Sequence, residues 1–267
     1  IALNNDRGLT AFIVGDSPVR LKSDATTLNN WGNNVALAVE DNDSGLVSRD
    51  EYLGVFYPSL FTSDNAGNNV VVPPSHGMLR TLALSDQVSF PWFAPAGTRR
   101  GGITNASAAG FVDAEGEFKS IALNEGQRDT LYALNVNPIT FLTGAGLVNF
   151  GQKTRARNAS ALDRINVARL VIYLRSQLKK LAKPYIFEPN DKITRDEIKA
   201  QTDSLMLELV SQRALYDFLV VCDESNNTPA RIDRNELYLD IAIEPVKAVE
   251  FIYIPLRLKN TGEIAGL

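Results

Sequence analysis

What this sequence has little of narrows its chemistry before any motif is read. One cysteine, Cys222, excludes an internal disulfide framework and fits a reducing compartment. One histidine, His76, excludes a histidine-rich metal site within a single chain. No apolar run approaches the ~20 residues needed to span a bilayer, which argues against membrane insertion. No secretory signal stands at the front. Positive charge is not in excess either: 27 Lys and Arg face 31 Asp and Glu, for a formal net charge of −4. Phosphate binding needs a basic footprint, so nucleic acid is set aside as the main partner. Internal repeats and low-complexity tracts are missing as well. The chain opens on Ile1 rather than Met, so an upstream part is expected.

What is present is ordinary for a globular protein: 267 residues, 45% hydrophobic and 22% charged, enough for one large domain or two modest ones. Strand signal is densest over Leu215–Leu258. Leu237, Leu239, Ile241 and Ile243 alternate with Tyr238, Asp240, Ala242 and Glu244, the period-two pattern of a half-buried strand. After a break at Pro245–Ala248 the alternation returns at Ile252, Ile254, Leu256 and Leu258. Such strands either complete a sheet in their own molecule or reach a neighbour.

Upstream, Leu9–Val14, Tyr52–Phe56 and Val70–Val72 read as strands, the last after a turn at Asp64–Asn69. Thr26–Glu40 carries helical spacing weakened by Asn and Gly. Ser75 is placed to cap a helix to Gln87 with Met78, Leu82 and Leu79 inward. Phe90–Gly97 reads as a packed irregular segment, and Thr98–Gly102 and Asn105–Gly110 as loops. Gln127–Leu134 predicts a short helix, and Ile139–Leu142 and Gly146–Phe150 short strands. The strongest helix is Ala161–Lys183, with an apolar seam at Val167, Val171, Leu174, Leu178 and Leu181. Thr194–Glu197 fits a capping box for a helix to Gln212. Together these predict an α/β (α+β) fold of mixed sheets flanked by helices, in two subdomains at residues 1–124 and 125–267, the second with long end strands.

Candidate chemistry is thin. His76 and Cys222 are a nucleophile and base in principle, but Cys222 closes an apolar strand, where a buried inert thiol is the usual finding. Asp41–Gly45 imitates a calcium loop with its glycine one place early and Tyr52 in the last ligand position, so it reads as a solvated turn. Gly144-Ala145-Gly146 lacks the third glycine of a dinucleotide fingerprint and reads as a strand connection. The Asp223–Asp233 loop is either an Asx-rich turn or the active site of an α/β hydrolase-like or nucleotide-dependent enzyme. The basic positions of the long helix, Arg164, Arg175, Lys179, Lys180 and Lys183, are either a solvated face or a contact for an acidic partner.

Two blocks carry a resemblance. Val72-Pro73-Pro74-Ser75, Leu79-Arg80-Thr81, Phe90–Gly97 and Asn135–Ile139 resemble the middle of contractile-tail sheath proteins. Phe187–Asp191, Thr194-Arg195, Asp217-Phe218, Val220–Glu224, Asn226–Pro229 and Ile232–Glu236 resemble the C-terminal core of sheath proteins of myovirus-type phages, the T4-like and giant-phage kind. The likeness runs from about Tyr52 onward, and because such sheath proteins are longer, the chain reads as a trimmed form. The resemblance implies a structural virion protein with no cofactor and no catalysis, which assembles in the host cytoplasm. It implies helical self-assembly as six-membered rings around a tail tube, contacts with baseplate and tail terminator proteins, and contraction that drives the tube through the host envelope. It further implies terminal strands that add to neighbouring subunits, for which Glu250, Phe251, Ile252, Tyr253, Ile254, Leu256 and Leu258 are the candidates. Arg175, Lys179, Lys180 and Lys183 are the candidate tube-facing charges.

Overall fold

The computed structural model describes residues 1–35, 46 and 48–253. A short helix α1 (Ala2–Asp6) precedes strand β1 (Ile13–Asp16) and helix α2 (Ala25–Gly32). Strands β2 (Leu53–Tyr57), β3 (Ser59–Ser63) and β4 (Asn69–Val72) lead into α3 (Pro74–Val88) and the single turn α4 (Gly97–Arg100). Then come β5 (Ala108–Val112), β6 (Phe118–Ser120), α5 (Glu125–Ala133), β7 (Val136–Leu142) and β8 (Gly146–Asn149). The C-terminal part holds α6 (Ile165–Ala182), α7 (Lys192–Ser211), β9 (Leu215–Val221), the single turn α8 (Pro229–Ile232) and β10 (Asp240–Pro245).

Three sheets result, and the mixed α/β (α+β) class is the one expected. The first runs β1-β2-β7-β8, parallel through its first three strands and closed by an antiparallel β7–β8 hairpin. Gly144 and Gly146 take φ of +84° and +76° in that hairpin turn, the connecting role read from the sequence. The second, antiparallel sheet runs β4-β3-β5-β6. The third is β9 and β10 alone. Because β7 pairs with β2, the expected boundary between residues 124 and 125 runs through one sheet.

Strand β2 is buried along its whole length, and its side chains divide between two cores. Leu53, Val55 and Tyr57 join Trp31, Leu131 and Val136 on one face. Phe56 joins Leu60, Met78, Ile139 and Ile165 on the other. A strand covered on both faces reads as an unbroken apolar run rather than an alternation. A third core belongs to the C-terminal part: Leu170, Leu174, Met206, Leu209, Leu215 and Val220, joined by Trp92. The Trp92 indole donates to the Gln212 carbonyl at 3.1 Å, tying the aromatic segment to the end of α7.

Several local expectations are corrected. The helix expected over Thr26–Glu40 ends at Gly32, because Asn34 adopts the left-handed region at φ +56°. Residues 36–45, which include the Asp41–Gly45 turn, lie outside the described residues. Ser75 does not cap α3; Pro73 holds the N-cap position, and Asp16 at the end of β1 accepts from the Ser75 amide at 2.7 Å and hydroxyl at 2.9 Å. A carboxylate at a helix N-terminus faces the positive end of the helix dipole. Leu79 is 58% exposed rather than inward. Thr98–Arg100 is helical, and Ala108–Gly110 belongs to a strand. At α7 the cap is Asp191, which accepts from the Thr194 amide at 2.9 Å, in place of the expected box at Thr194. The seam of α6 runs through Leu170 and Leu174 more than through the half-buried Val171.

Candidate assembly site

The ribbon of β9 and β10 pairs Val221 with Asp240 through to Asp217 with Glu244, then shifts register at Pro245. Val220 and Leu215 are buried, and Phe218, Leu239, Ile241 and Ile243 pack partly on the C-terminal core. On the other face Tyr216 is 63% and Leu219 61% exposed. Each strand has one neighbour only among the described residues, so each presents an outer row of backbone amides and carbonyls. Open edges of this kind are templates for added strands.

The turn that joins the strands occupies Asp223, Asn226 and Asn227, polar groups suspected of chemistry. The Asp223 carboxylate accepts from the Ser225 amide and hydroxyl, and these bonds hold its carboxyl below the usual range. The buried Asn226 side chain donates to the carbonyls of Val221 and Tyr238 and to the Asp240 carboxylate, and accepts from the Asp223 amide. Asn227, also buried, donates to the Tyr238 carbonyl at 2.9 Å and accepts from the Tyr238 amide at 2.7 Å. These two asparagine-to-backbone bonds explain why the alternation at Leu237–Leu239 is not strand: an asparagine side chain takes the place of a partner strand. Burial pushes the Cys222 thiol up, as for an inert core cysteine. The Asp223–Asp233 segment is therefore the Asx-rich turn of the two readings, with the Asp223 carboxylate and the Asn226 and Asn227 amides committed to the turn.

Beyond β10 the chain crosses back over the start of α6, and Glu250 fixes it there. The Glu250 carboxylate receives a two-pronged contact from Arg164, with Nη2 to Oε2 at 3.0 Å, and a bond from Gln152 Nε2 to Oε1 at 3.0 Å. The Tyr132 hydroxyl bonds it as well. Burial alone would push this carboxyl up; Arg164, Tyr132 and Gln152 overrule it and hold it below the ordinary glutamate range. The sequence grouped Glu250 with the strand that follows, whereas the structure commits its side chain at home. Its partners lie 86 and 98 residues away, so no local spacing pointed to them. Immediately after the clasp, Phe251, Ile252 and Tyr253 are 66%, 77% and 87% exposed and form no strand in their own chain. Ile254, Leu256 and Leu258 lie outside the described residues.

The basic candidates separate likewise. Arg175 is half-buried, donates to the Leu9 carbonyl at 3.2 Å and lies over the Tyr52 ring. Lys179, Lys180 and Lys183 are exposed at the end of α6 and form no ion pair among the described residues. His76 does not meet Cys222; its carbonyl accepts from Asn105 beside α3. No group of acids, histidine and cysteine suited to a metal ion occurs among the described residues.

Residues 158–259, which span α6, α7, the ribbon and the clasp, match the family described as the phage tail sheath C-terminal domain. The tail sheath protein of Vibrio phage KVP40 is 38% identical over 199 residues, covering 73% of this chain and 28% of that protein. The tail sheath protein of Enterobacteria phage T4 is 34% identical over 200 residues, covering 73% of this chain and 29% of that protein. The chain thus spans less than a third of the length of these relatives. The cryo-EM structure of the anti-feeding prophage helical sheath in its contracted state has a TM-score of 0.73 at 20% identity, covering 97% of this chain and 64% of that one, a likeness of fold.

Proposed function

We propose that this chain, a member of the phage tail sheath family, is the assembling core of a structural subunit of a contractile tail sheath. Copies polymerise helically, as six-membered rings around a tail tube, and associate with the baseplate and a tail terminator. The product is a virion tail component, put together in the host cytoplasm. Contraction drives the tube through the host envelope. The family is one of structural proteins, and contraction is then a switch between two packings biased by a trigger.

One observation carries the linkage part of this reading. The β9–β10 ribbon has open outer edges, while the segment leaving Glu250 is apolar, exposed and unpaired through Tyr253. A strand beginning at Phe251 in one copy, added to the ribbon of the next, satisfies both. Each backbone hydrogen bond so gained contributes about 0.5–1.5 kcal/mol, so a strand of this length makes a firm but repositionable joint. Glu250 is the fixed end of the arm. The contact is heterologous, and contacts of that kind which do not close generate helices.

Removing Phe251–Leu267 tests this. The shortened chain should keep its circular dichroism spectrum and sediment as a monomer at concentrations where the intact chain associates. Ordered tubules from the shortened chain in negative stain would sink strand addition.

A further inference from the structure

A second pair of surfaces is left open among the described residues. Past the end of α6, Ile186 is 61% exposed and Phe187 102% exposed, with Phe187 in the left-handed backbone region at φ +77°. A bulky side chain is strained there and persists only where its surroundings impose it. Here they do: Asn190 donates to the Glu236 carbonyl at 2.9 Å, and the buried Arg195 donates to the Asn190 carbonyl and side chain at 3.3 and 3.2 Å. The loop is locked, and it holds an aromatic ring in solvent with exposed Glu188 and Asp191 beside it.

At the other end of α6 lies a cleft of about 700 Å³ that takes in Asn166. Phe93 and Phe150 supply apolar walls, and Arg99, Arg100, Arg128 and Arg213 stand around them. None of these arginines forms an ion pair among the described residues; Arg100 rests on the Phe93 ring and Arg128 on that of Phe150. Five cationic side chains line the cleft against three carboxylates, and one of the three, Glu250, is taken by Arg164. Burial, then the charges of Arg99 and Arg213, lower the Arg100 pKa, the mark of positive charge gathered without compensation. The cleft suits an aromatic flanked by acids, since guanidinium groups favour both carboxylates and ring faces.

The geometry points to a contact between copies in which Phe187, flanked by Glu188 and Asp191, seats in the arginine-rimmed cleft of the next copy. Helix α6 has 18 residues, which separates loop and cleft by about 25 Å along its axis. A chain cannot fill its own cleft across that distance, and a head-to-tail contact leaves a free loop and a free cleft at every step. The inference rests on the reading of the chain as a self-assembling subunit, but apart from Phe251, which also lines the cleft, it uses surfaces separate from the ribbon and the arm.

The test is photo-crosslinking of the full chain with benzoylphenylalanine at position 187, one copy isotopically labelled. Crosslinks between labelled and unlabelled copies should fall on the segment holding Phe93, Arg99 and Arg100, or at Phe150 or Arg213. Charge reversal by R99E with R213E, both exposed, should lower that yield at least about tenfold, the response of a contact steered by opposite charge, with an unchanged melting curve. Crosslinks confined to one copy or to other surfaces overturn the contact, as do no crosslinks between copies or a yield indifferent to the reversal. Deleting Ile252–Leu267, which keeps the Phe251 that lines the cleft, separates the two ideas: it abolishes strand addition and leaves the position-187 crosslink in place.

Discussion

The central β1-β2-β7-β8 sheet and the β9–β10 ribbon are both made from apolar, strand-forming sequence, yet they leave opposite things undone. In the central sheet β2 has strands on either side and a packed core on each face. Among the described residues the ribbon has a core on one face only and two open edges, and its stability comes from packing on α6 and α7, since an isolated pair of strands is marginal in water. The first is enclosed on both sides of β2; the second has only two strands among the described residues. Stability is therefore concentrated where the chain closes on itself, and the proposed assembly contacts lie where it does not.

The sharpest way to break this comparison is to truncate matched apolar residues. Phe56→Ala, at a fully buried position of β2, should cost about 3–5 kcal/mol in denaturant unfolding. Leu219→Ala, on the exposed face of the ribbon, should stay within about 0.5 kcal/mol. Equal costs would mean that the ribbon is as closed as the central sheet.

A smaller effect is expected where the two regimes meet, at the Glu250 clasp. Glu250→Gln removes the charge-assisted bonds from Arg164, with a loss of about 1–3 kcal/mol that should appear as faster proteolysis after Lys247 rather than as global unfolding. The pH dependence has a definite sign. The folded carboxyl lies below its ordinary value, so its stabilisation is fully present above the unfolded pKa of about 4.3 and is lost as pH falls through the lower folded value. Proteolysis of the arm should therefore rise on acidification below about pH 4 in the native chain and not in E250Q. An identical acid response in both would place the release elsewhere.

These two sites also mark how far the sequence was readable. The apolar run of β2 and the Asx turn at Asp223–Asn227 are local patterns, set by residues that touch their near neighbours, and they stand where the sequence pattern put them. The Asp16 contact with Ser75 spans 59 residues and the Arg164–Glu250 pair 86, and no spacing rule reaches so far. The alternation at Leu237–Leu239 misled for a related reason: period two reports which side chains face a core, not whether a partner strand lies alongside. Arg155 is the clearest case of information held only in three dimensions. It is fully buried with no carboxylate partner among the described residues, donates to the carbonyls of Ser48 and Leu46, and burial followed by the nearby Arg49 brings its pKa down to about 10. A lone arginine in sequence gives no hint of that.

The smallest expected effect concerns Lys179, Lys180 and Lys183, and it asks whether a surface with no internal role has an external one. Their position in and just after the last turn of α6 suits the negative end of the helix dipole, so reversal to Glu weakens a local interaction slightly. Being exposed, they contribute little to folding, and the triple reversal should leave the melting temperature nearly unchanged. If they face the tube, cosedimentation with tail tubes should drop at low salt while self-association persists. The difference between native and reversed chains should then shrink as salt rises, because the Debye length is only about 8 Å at physiological ionic strength. Tube binding that is equal in the two chains across the salt series would assign these lysines to solvent.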